Sequence, residues 1–179
     1  QMCIRDRSML LENIDQRALR KWITAGLLID EVRKLNGDAG YLLSNMIAKY
    51  TLAASRYRLS TEALGWFTSN GIELSEEYAR SRYYGKNSPV MYEHSIPAGV
   101  VRSFLLTQEP SEPTVRSILQ SAGEVVVVMR SEDERLVASG LAKKMPEGWS
   151  FGDDPHARYA VAGIHLSESF LRVRGKIRR

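Results

Sequence analysis

Apolar residues recur every three or four positions through the first part of the chain, which is the spacing of amphipathic helices. The first such pattern predicts a helix from Asn13 to Leu35, with Asn13 or Asp15 as its N-cap and Gly37 as its stop. The same spacing predicts three more helices, at Asp38–Arg56, at about Ser60–Ser69 and at about Ser75–Tyr84. The first half of the chain is therefore predicted to be helical.

The pattern changes after Gly85, where two β-like segments appear. "PVMYEH", Pro89 to His94, is the first, and "EVVVVMR", Glu124 to Arg130, is the clearest strand in the chain. The consecutive valines of the second segment favour an extended backbone that is buried on both faces. Two helices are predicted between these strands, at Ala98–Leu106 and Thr114–Ser121.

A further helix is predicted directly after the second strand. "SEDE", Ser131 to Glu134, has the residues of a capping box, with serine at the N-cap and glutamate three positions later. This helix is expected over Glu132–Ala138, and a later one is expected to begin at Asp154-Pro155.

The order of these elements predicts a fold class and a division of the chain. We expect an α+β protein that is predominantly helical. A helical region is predicted over residues 8–85. It is followed over residues 86–179 by a ββα-like unit that contains a helical insertion and ends in a helix and a basic tail.

The first seven residues, "QMCIRDR", are predicted to lie outside the fold. Their reverse translation gives the end of a transposase adapter used in sequencing libraries, so we interpret them as an assembly scar from environmental DNA. Removing them takes away Cys3, the single cysteine. It also lowers the net charge from +4 to +3, because the segment holds two arginines and one aspartate. Whether the coding sequence begins upstream stays open.

The composition is that of an ordinary globular chain, with 44% hydrophobic and 26% charged residues. No run approaches the apolar length of a transmembrane helix, so no membrane partner is expected. Without Cys3 the chain has no thiol for a disulfide or a thiolate zinc site, which fits a cytoplasmic protein.

The charge distribution permits a nucleic-acid partner without requiring one. The pI is near 9.3, and the last eight residues, "RVRGKIRR", hold five cations and no acid. Such a run is either a solvated tail or a phosphate-binding arm. The arm would use four cations of this segment, which are Arg172, Arg174, Lys176 and Arg178.

"YEHSIP", Tyr92 to Pro97, resembles the first motif of the HNH, or His-Me finger, endonucleases. In that family an acidic residue and a histidine close the first strand of a ββα unit and are often followed by an apolar residue and proline. The resemblance covers about Pro89 to Leu141, and it implies a metal-dependent endonuclease that hydrolyses phosphodiester bonds. The asparagine or histidine that the family carries on its helix has no counterpart in Ser131–Leu141.

The resemblance also implies roles for particular residues. Glu93 would be a metal ligand, and His94 would be the general base that draws a proton from the attacking water. Asp133 is the expected helical ligand, because it shares a stripe with Leu136 and Val137 and should point toward the strands. A cation held by carboxylates would be Mg²⁺ or Mn²⁺.

Four more cations near this unit are candidate contacts to a nucleic-acid backbone: Arg102, Lys143, Lys144 and Arg158. The chain gives two interpretations of Arg158, which could contact a phosphate or be held against the core. The expected partner is nucleic acid, with DNA favoured over RNA.

Three functions stay open at this point. The first is the HNH-like endonuclease, active or degenerate. The second is a non-enzymatic nucleic-acid-binding or regulatory protein of bacterial or phage origin, in which Glu93 and His94 are a polar pair at a strand end. The third is a helical protein–protein adaptor, in which the basic excess has no role.

Overall fold

A computed structural model describes residues 12–34 and 37–174 of the chain. The predicted adapter residues, together with Lys176 and Arg178 of the predicted tail, lie outside the described residues. Within the described residues, no helix combines the length and the hydropathy needed to cross a membrane.

The predicted fold class is confirmed, because helices dominate and a single mixed sheet joins them. The helices are α1 (Ile14–Leu27), α2 (Asp30–Arg33), α3 (Gly37–Leu52), α4 (Thr61–Ser69), α5 (Ala98–Leu106), α6 (Glu112–Ser121), α7 (Arg130–Ala138) and α8 (Ala157–Val161). The strands are β1 (Arg56–Ser60), β2 (Glu77–Ala79), β3 (Val90–His94), β4 (Val125–Met129) and β5 (Leu166–Arg174). The predicted helix α5 and the strands β3 and β4 form where the apolar pattern placed them.

The sheet has the strand order β2-β5-β1-β4-β3. β1 is parallel to β4 and antiparallel to β5, whereas β3 is antiparallel to β4 and lies at one edge. The antiparallel pair β3–β4, with α5 and α6 inserted between its strands and α7 after it, has the predicted ββα order.

The two faces of the sheet are covered differently. On one face, Phe67 of α4 packs with Tyr57 of β1 and with Val125 and Val127 of β4. On the other face, Leu136 of α7 and Tyr159 of α8 pack with Val126 and Val128 of β4. β4 is thus buried on both faces, as its run of valines predicts.

A third cluster fills the helical part of the molecule. Helices α1, α3, α5 and α6 pack around a core that includes Ile23, Ile47, Val101 and Leu119. Ile96, which follows β3, belongs to the same core and ties the helices to the sheet.

The prediction of an all-helical first half is wrong at two places. Arg56–Ser60, expected at the junction of two helices, forms the central strand β1. The predicted helix Ser75–Tyr84 is instead the short strand β2 followed by a 3-10 turn over Arg80–Tyr83. Because β1 lies between β4 and β5, the predicted division at residue 85 does not separate the elements of the sheet.

The start of α7 and the segment after α8 also differ from the prediction. Helix α7 begins at Arg130, and the carboxylate of Glu132 accepts a hydrogen bond from the Met129 amide at 2.8 Å, so the predicted cap formed by Ser131 and Glu134 is wrong. After α8 the chain forms strand β5, which includes Arg172 and Arg174, so these two residues belong to the sheet rather than to a tail.

Candidate nucleic-acid interface

Glu93 and His94, the centre of the predicted nuclease site, close the edge strand β3. Adjacent residues of a strand point to opposite faces of its sheet. Glu93 is opposite Val126 and shares the face of α7 and α8, whereas His94 is opposite Val125 and lies on the other face. The two side chains therefore point away from each other.

The imidazole of His94 is held by α3. Its Nε2 lies 3.1 Å from the carbonyl oxygen of Ala48, and because a carbonyl can only accept, this nitrogen carries the proton and donates. Burial lowers the pKa of His94 below its ordinary value. His94 is thus a neutral, partly buried side chain with a structural hydrogen bond to the helical part of the molecule.

The carboxylate of Glu93 is paired with Arg158. Arg158 Nη2 donates to Glu93 Oε2 at 2.8 Å, and the arginine side chain is 1% exposed. Burial raises the pKa of the Glu93 carboxyl, an effect that the Arg158 guanidinium opposes and that the charge of Asp133 increases. Glu93 therefore already has a cationic partner.

Arg158 also joins its own helix, α8, to two other segments of backbone, one after β3 and one after α7. Its guanidinium donates to the carbonyl oxygens of His94 and Ser95, which follow β3, and to those of Leu141 and Ala142, which follow α7. A guanidinium buried in this way cannot reach a nucleic-acid backbone. The interpretation of Arg158 as a phosphate contact is wrong, and the alternative, an arginine held in the core, is confirmed.

The predicted general base, His94, does not lie beside the predicted metal ligands, Glu93 and Asp133. Asp133, half-exposed on α7, acts electrostatically on Glu93, but His94 lies across the sheet from both. Over residues 12–34 and 37–174, no three or more His, Cys, Asp or Glu side chains form a group suited to a metal ion. His94, the predicted base, therefore lies apart from the two predicted ligands, and binding of Mg²⁺ or Mn²⁺ by Glu93 and Asp133 stays a prediction.

The acidic side chain of α7 that points into the core is Glu132 and not the predicted Asp133. This carboxylate is 1% exposed and accepts hydrogen bonds from the Ser60 hydroxyl at 2.5 Å and from the Met129 amide. Burial raises the pKa of Glu132 in spite of these two donors. Val137, expected on the inward stripe, is exposed, because the buried face of α7 consists of Glu132 and Leu136, which lie one turn apart.

The remaining predicted cations are spread over the surface. Arg102 is half-buried on α5, where its Nη1 donates to the Gly40 carbonyl at 3.0 Å. Lys143 and Lys144 are exposed in the loop after α7. Arg172 and Arg174 are exposed on β5 and point to one face of the sheet, so among the predicted contacts these two share a surface.

That surface is larger than the sequence indicated. β1 directs Arg56 and Arg58 to the same side, since Tyr57 and Leu59 point to the α4 core. β5 adds Phe170, Arg172 and Arg174, whose neighbours Leu171 and Val173 also point to that core. We call the surface formed by Arg56, Arg58, Phe170, Arg172 and Arg174 the arginine face.

Helices leave the arginine face open. α7 packs on β3 and β4, and Arg56, Arg172 and Arg174 at the other end of the same face are exposed. A pocket of about 430 Å³ opens here, and its lining includes Arg56, Phe170, Arg172 and Glu77. The face is thus accessible to a ligand larger than an ion.

Two arginines of this face oppose each other directly. Arg56 and Arg172 are partners in the antiparallel β1–β5 register, an arrangement that places like charges next to each other and destabilises a sheet. Glu77 of β2 offsets part of this charge, at 3.6 Å from Arg172. No carboxylate oxygen of the described residues lies within 4.0 Å of Arg56.

Phe170, the cross-strand partner of Arg58, contacts the guanidinium groups of two arginines. The guanidinium carbons of Arg56 and Arg58 each lie 4.7 Å from the centre of its ring. Cation–π contacts of this kind hold arginines in fixed positions, which reduces the side-chain entropy they lose on binding an anion. Arg58 is held further by Glu124, at 2.5 Å.

Glu124 ties the arginine face to the loop before α8. Burial raises the pKa of its carboxyl, but hydrogen bonds from His156 and Arg58 outweigh this effect and hold the pKa below its ordinary value. His156, at 3.0 Å from Glu124, is partly buried, whereas His165 is exposed next to β5.

The sequence carries a signal for the arginine-face residues that the predictions missed. "RYRLS", Arg56 to Ser60, and "FLRVR", Phe170 to Arg174, both alternate between core and solvent positions, which is typical of half-buried strands. The helical spacing of the flanking residues hides the first alternation, and the density of cations at the end of the chain hides the second.

No family model, curated protein or solved structure matches this chain.

Proposed function

We propose that this protein binds nucleic acid through the arginine face. The observation that carries the proposal is the direct cross-strand pairing of Arg56 with Arg172 on an exposed, helix-free part of the sheet. Two adjacent guanidiniums repel each other, and an anion such as a phosphate between them converts that repulsion into attraction. The face therefore has a built-in preference for anionic ligands.

An extended polyanion suits this face better than an isolated phosphate. Arg174 lies two residues beyond Arg172 on β5, so the cations follow the strand direction over more than one position. Phe170 adds the aromatic component that occurs on surfaces binding single strands, and guanidinium planes can also stack on bases. We therefore favour single-stranded nucleic acid over a duplex as the ligand.

The expected affinity depends on salt, because each phosphate that an arginine neutralises releases counterions. We would measure fluorescence anisotropy with labelled single-stranded and duplex oligonucleotides of one sequence, as DNA and as RNA. The Arg56→Gln and Arg172→Gln double variant should bind more weakly at every salt concentration. The slope of log affinity against log salt should fall by about one for each arginine–phosphate pair that the substitutions remove.

The matched control is the Arg17→Gln and Lys21→Gln double variant, which removes the same charge from the exposed surface of α1. It should keep most of the affinity. Equal losses in the two double variants would mean that net charge alone drives binding, and undetectable binding of any oligonucleotide at low salt would reject the proposal.

Hydrolysis of nucleic acid is a separate prediction, which comes from the HNH resemblance. The observation that favours it is the antiparallel β3–β4 pair followed by α7. The test is a plasmid-nicking assay with Mg²⁺ and with Mn²⁺. Metal-dependent cleavage that is lost in His94→Ala, with the fold intact, would support the predicted site in spite of its present geometry. Cleavage that persists both in His94→Ala and after chelation of the metal would contradict the predicted nuclease site.

A further inference from the structure

The helical part of the molecule has an apolar groove that the proposed nucleic-acid surface does not use. It lies between α1 and α3, and residues of α5 close one end. Its volume is about 280 Å³. Trp22, Ile29, Leu42, Met46 and Leu106 provide much of its lining.

The rim of this groove consists of large apolar side chains that face solvent. Trp22 is 70% exposed and Leu42 is 65% exposed. Leu28 and Tyr41, next to these elements, are 62% and 61% exposed. A contiguous apolar patch of this kind is typical of an interaction site, and tryptophan is the residue type most enriched at energetic centres of interfaces.

One end of the groove is positively charged. Arg102 lines it with a half-buried side chain, whose Nη1 donates to the Gly40 carbonyl. Arg33 lies at the same end, where its Nη2 donates to the Leu106 carbonyl at 2.9 Å. A carboxylate is the strongest partner of a guanidinium, because hydrogen bonds between charged groups are stronger than those between neutral ones.

We propose that this groove binds an amphipathic helix of a partner protein, with an acidic residue of that helix placed at Arg102. A groove between two helices accepts the apolar face of a third helix, whose side chains enter at positions i, i+4 and i+7. Met46 in the floor can adjust to different apolar side chains.

A partner helix fits the groove better than a second copy of this chain. A two-fold contact would set the groove against the same groove, so two concave surfaces would meet and Arg102 would approach its own copy. An acidic helix supplies both the convex apolar surface and the opposite charge that the groove lacks.

The test uses two synthetic helical peptides that differ in charge. Both carry leucine at i, i+4 and i+7, one with glutamate and the other with lysine beside the apolar face. The glutamate peptide should bind the full chain, and the lysine peptide should bind at least tenfold more weakly, a difference of about 1.4 kcal/mol.

Variants localise the binding. Trp22→Ala should weaken binding of the glutamate peptide by about tenfold or more, because it removes an exposed aromatic anchor. Arg102→Gln should remove the discrimination between the two peptides while leaving the lysine peptide's affinity unchanged or higher. Tyr84→Ala is the matched control, since Tyr84 is 71% exposed and lies outside the groove.

Three results would overturn the proposal. One is no binding of the glutamate peptide, and another is equal affinity for the two peptides. The third is concentration-dependent dimerisation, measured by sedimentation, that Trp22→Ala abolishes, because the groove would then serve a second copy. Oligonucleotide binding should be the same in Trp22→Ala and the unmodified chain, so failure here is distinguishable from failure of the nucleic-acid proposal.

Discussion

Glu93 and Arg158 form an ion pair on one side of β3, and His94 points to the other side of the same strand. The three residues thus act as a clamp on the end of β3 rather than as one catalytic group. Arg158 donates a hydrogen bond to the backbone carbonyl of His94, and the His94 imidazole donates one to the carbonyl of Ala48 in α3.

Replacing Arg158 should strongly destabilise the folded protein. Arg158→Met leaves the Glu93 carboxylate partly buried without its cation and leaves four backbone carbonyls without their donor. Breaking a buried pair in this way costs about 3–5 kcal/mol. Urea unfolding followed by circular dichroism measures this loss.

Glu93→Gln is the informative comparison, because it keeps a hydrogen-bond acceptor for Arg158. It should lower the free energy of unfolding by less than Arg158→Met does. If both changes leave the urea midpoint unaltered, the clamp does not stabilise the end of β3.

Arg56→Gln should stabilise the fold while weakening nucleic-acid binding. The change removes one of two like charges that oppose each other across β1 and β5. Relief of a cross-strand repulsion of this kind is worth about 0.2–1 kcal/mol at low salt. Thermal unfolding at low and high salt, measured without oligonucleotide, gives the result.

The gain in stability should shrink at high salt, since screening weakens the repulsion. A loss of stability in Arg56→Gln would mean that its cation–π interaction with Phe170 outweighs the repulsion, and that Arg56 has a structural role. Such a result would contradict an anion site between Arg56 and Arg172.

Glu124 should make the fold sensitive to acid. Its pKa is lower in the folded protein than its ordinary value of 4.5, so it favours folding where it is ionised. This contribution is present above pH 4.5 and is lost as the pH falls through the lower, folded-state pKa. The unfolding free energy of Glu124→Gln should therefore change less with pH over this range.

The comparison uses chemical unfolding at several pH values below about 6, where the carboxyl titrates, and takes the difference between the two chains. Parallel curves for Glu124→Gln and the unmodified chain would show that Glu124 is not held ionised by Arg58 and His156. Glu168→Gln, which alters an exposed carboxylate near Arg58, is the control.

Gly123→Ala should be strongly destabilising. Gly123 has a φ of +87°, and a Cβ on it would lie 1.8 Å from the Ser95 hydroxyl, which accepts a hydrogen bond from the Glu124 amide. Gly163→Ala is the matched control, since its φ is +66° but the space around its Cβ is open.

The control should cost about 1–2 kcal/mol, which is the penalty for a left-handed alanine. Gly123→Ala should cost more, because the Ser95 side chain must also move and give up its hydrogen bond. Equal shifts in melting temperature for the two variants would show that this turn adapts without strain.

Local patterns predicted the elements whose stability is local. The valine run of β4 and the apolar spacing of α5 are decided by their own residues, and both formed as expected. "ELSEEYARSRYY", Glu73 to Tyr84, has good helix formers, but pairing of Glu77–Ala79 with the distant β5 overrides that propensity. Such pairing leaves no signal within the segment itself.

In the candidate site, the cap of α7 could not be predicted from local patterns, whereas the orientations of Glu93 and His94 could have been. α7 is capped by Glu132, which accepts from the Met129 amide, and the buried position of this carboxylate depends on Ser60 of the distant strand β1, which local spacing does not reveal. The opposite orientations of Glu93 and His94, however, follow from the alternation of side chains along any strand. The arginine face required both the alternation in β1 and β5 and the knowledge that these strands are neighbours.

The position of β1 in the centre of the sheet has a consequence for how the chain is made. β1 is synthesised early, yet its partners β4 and β5 follow more than sixty and one hundred residues later. Contacts so distant along the chain slow folding. One side of β1 packs on α4, which follows it directly, but the backbone edge that pairs with β5 stays unpaired until β5 has left the ribosome. The arginines on the other side of β1 then provide charge that discourages aggregation of this unpaired strand.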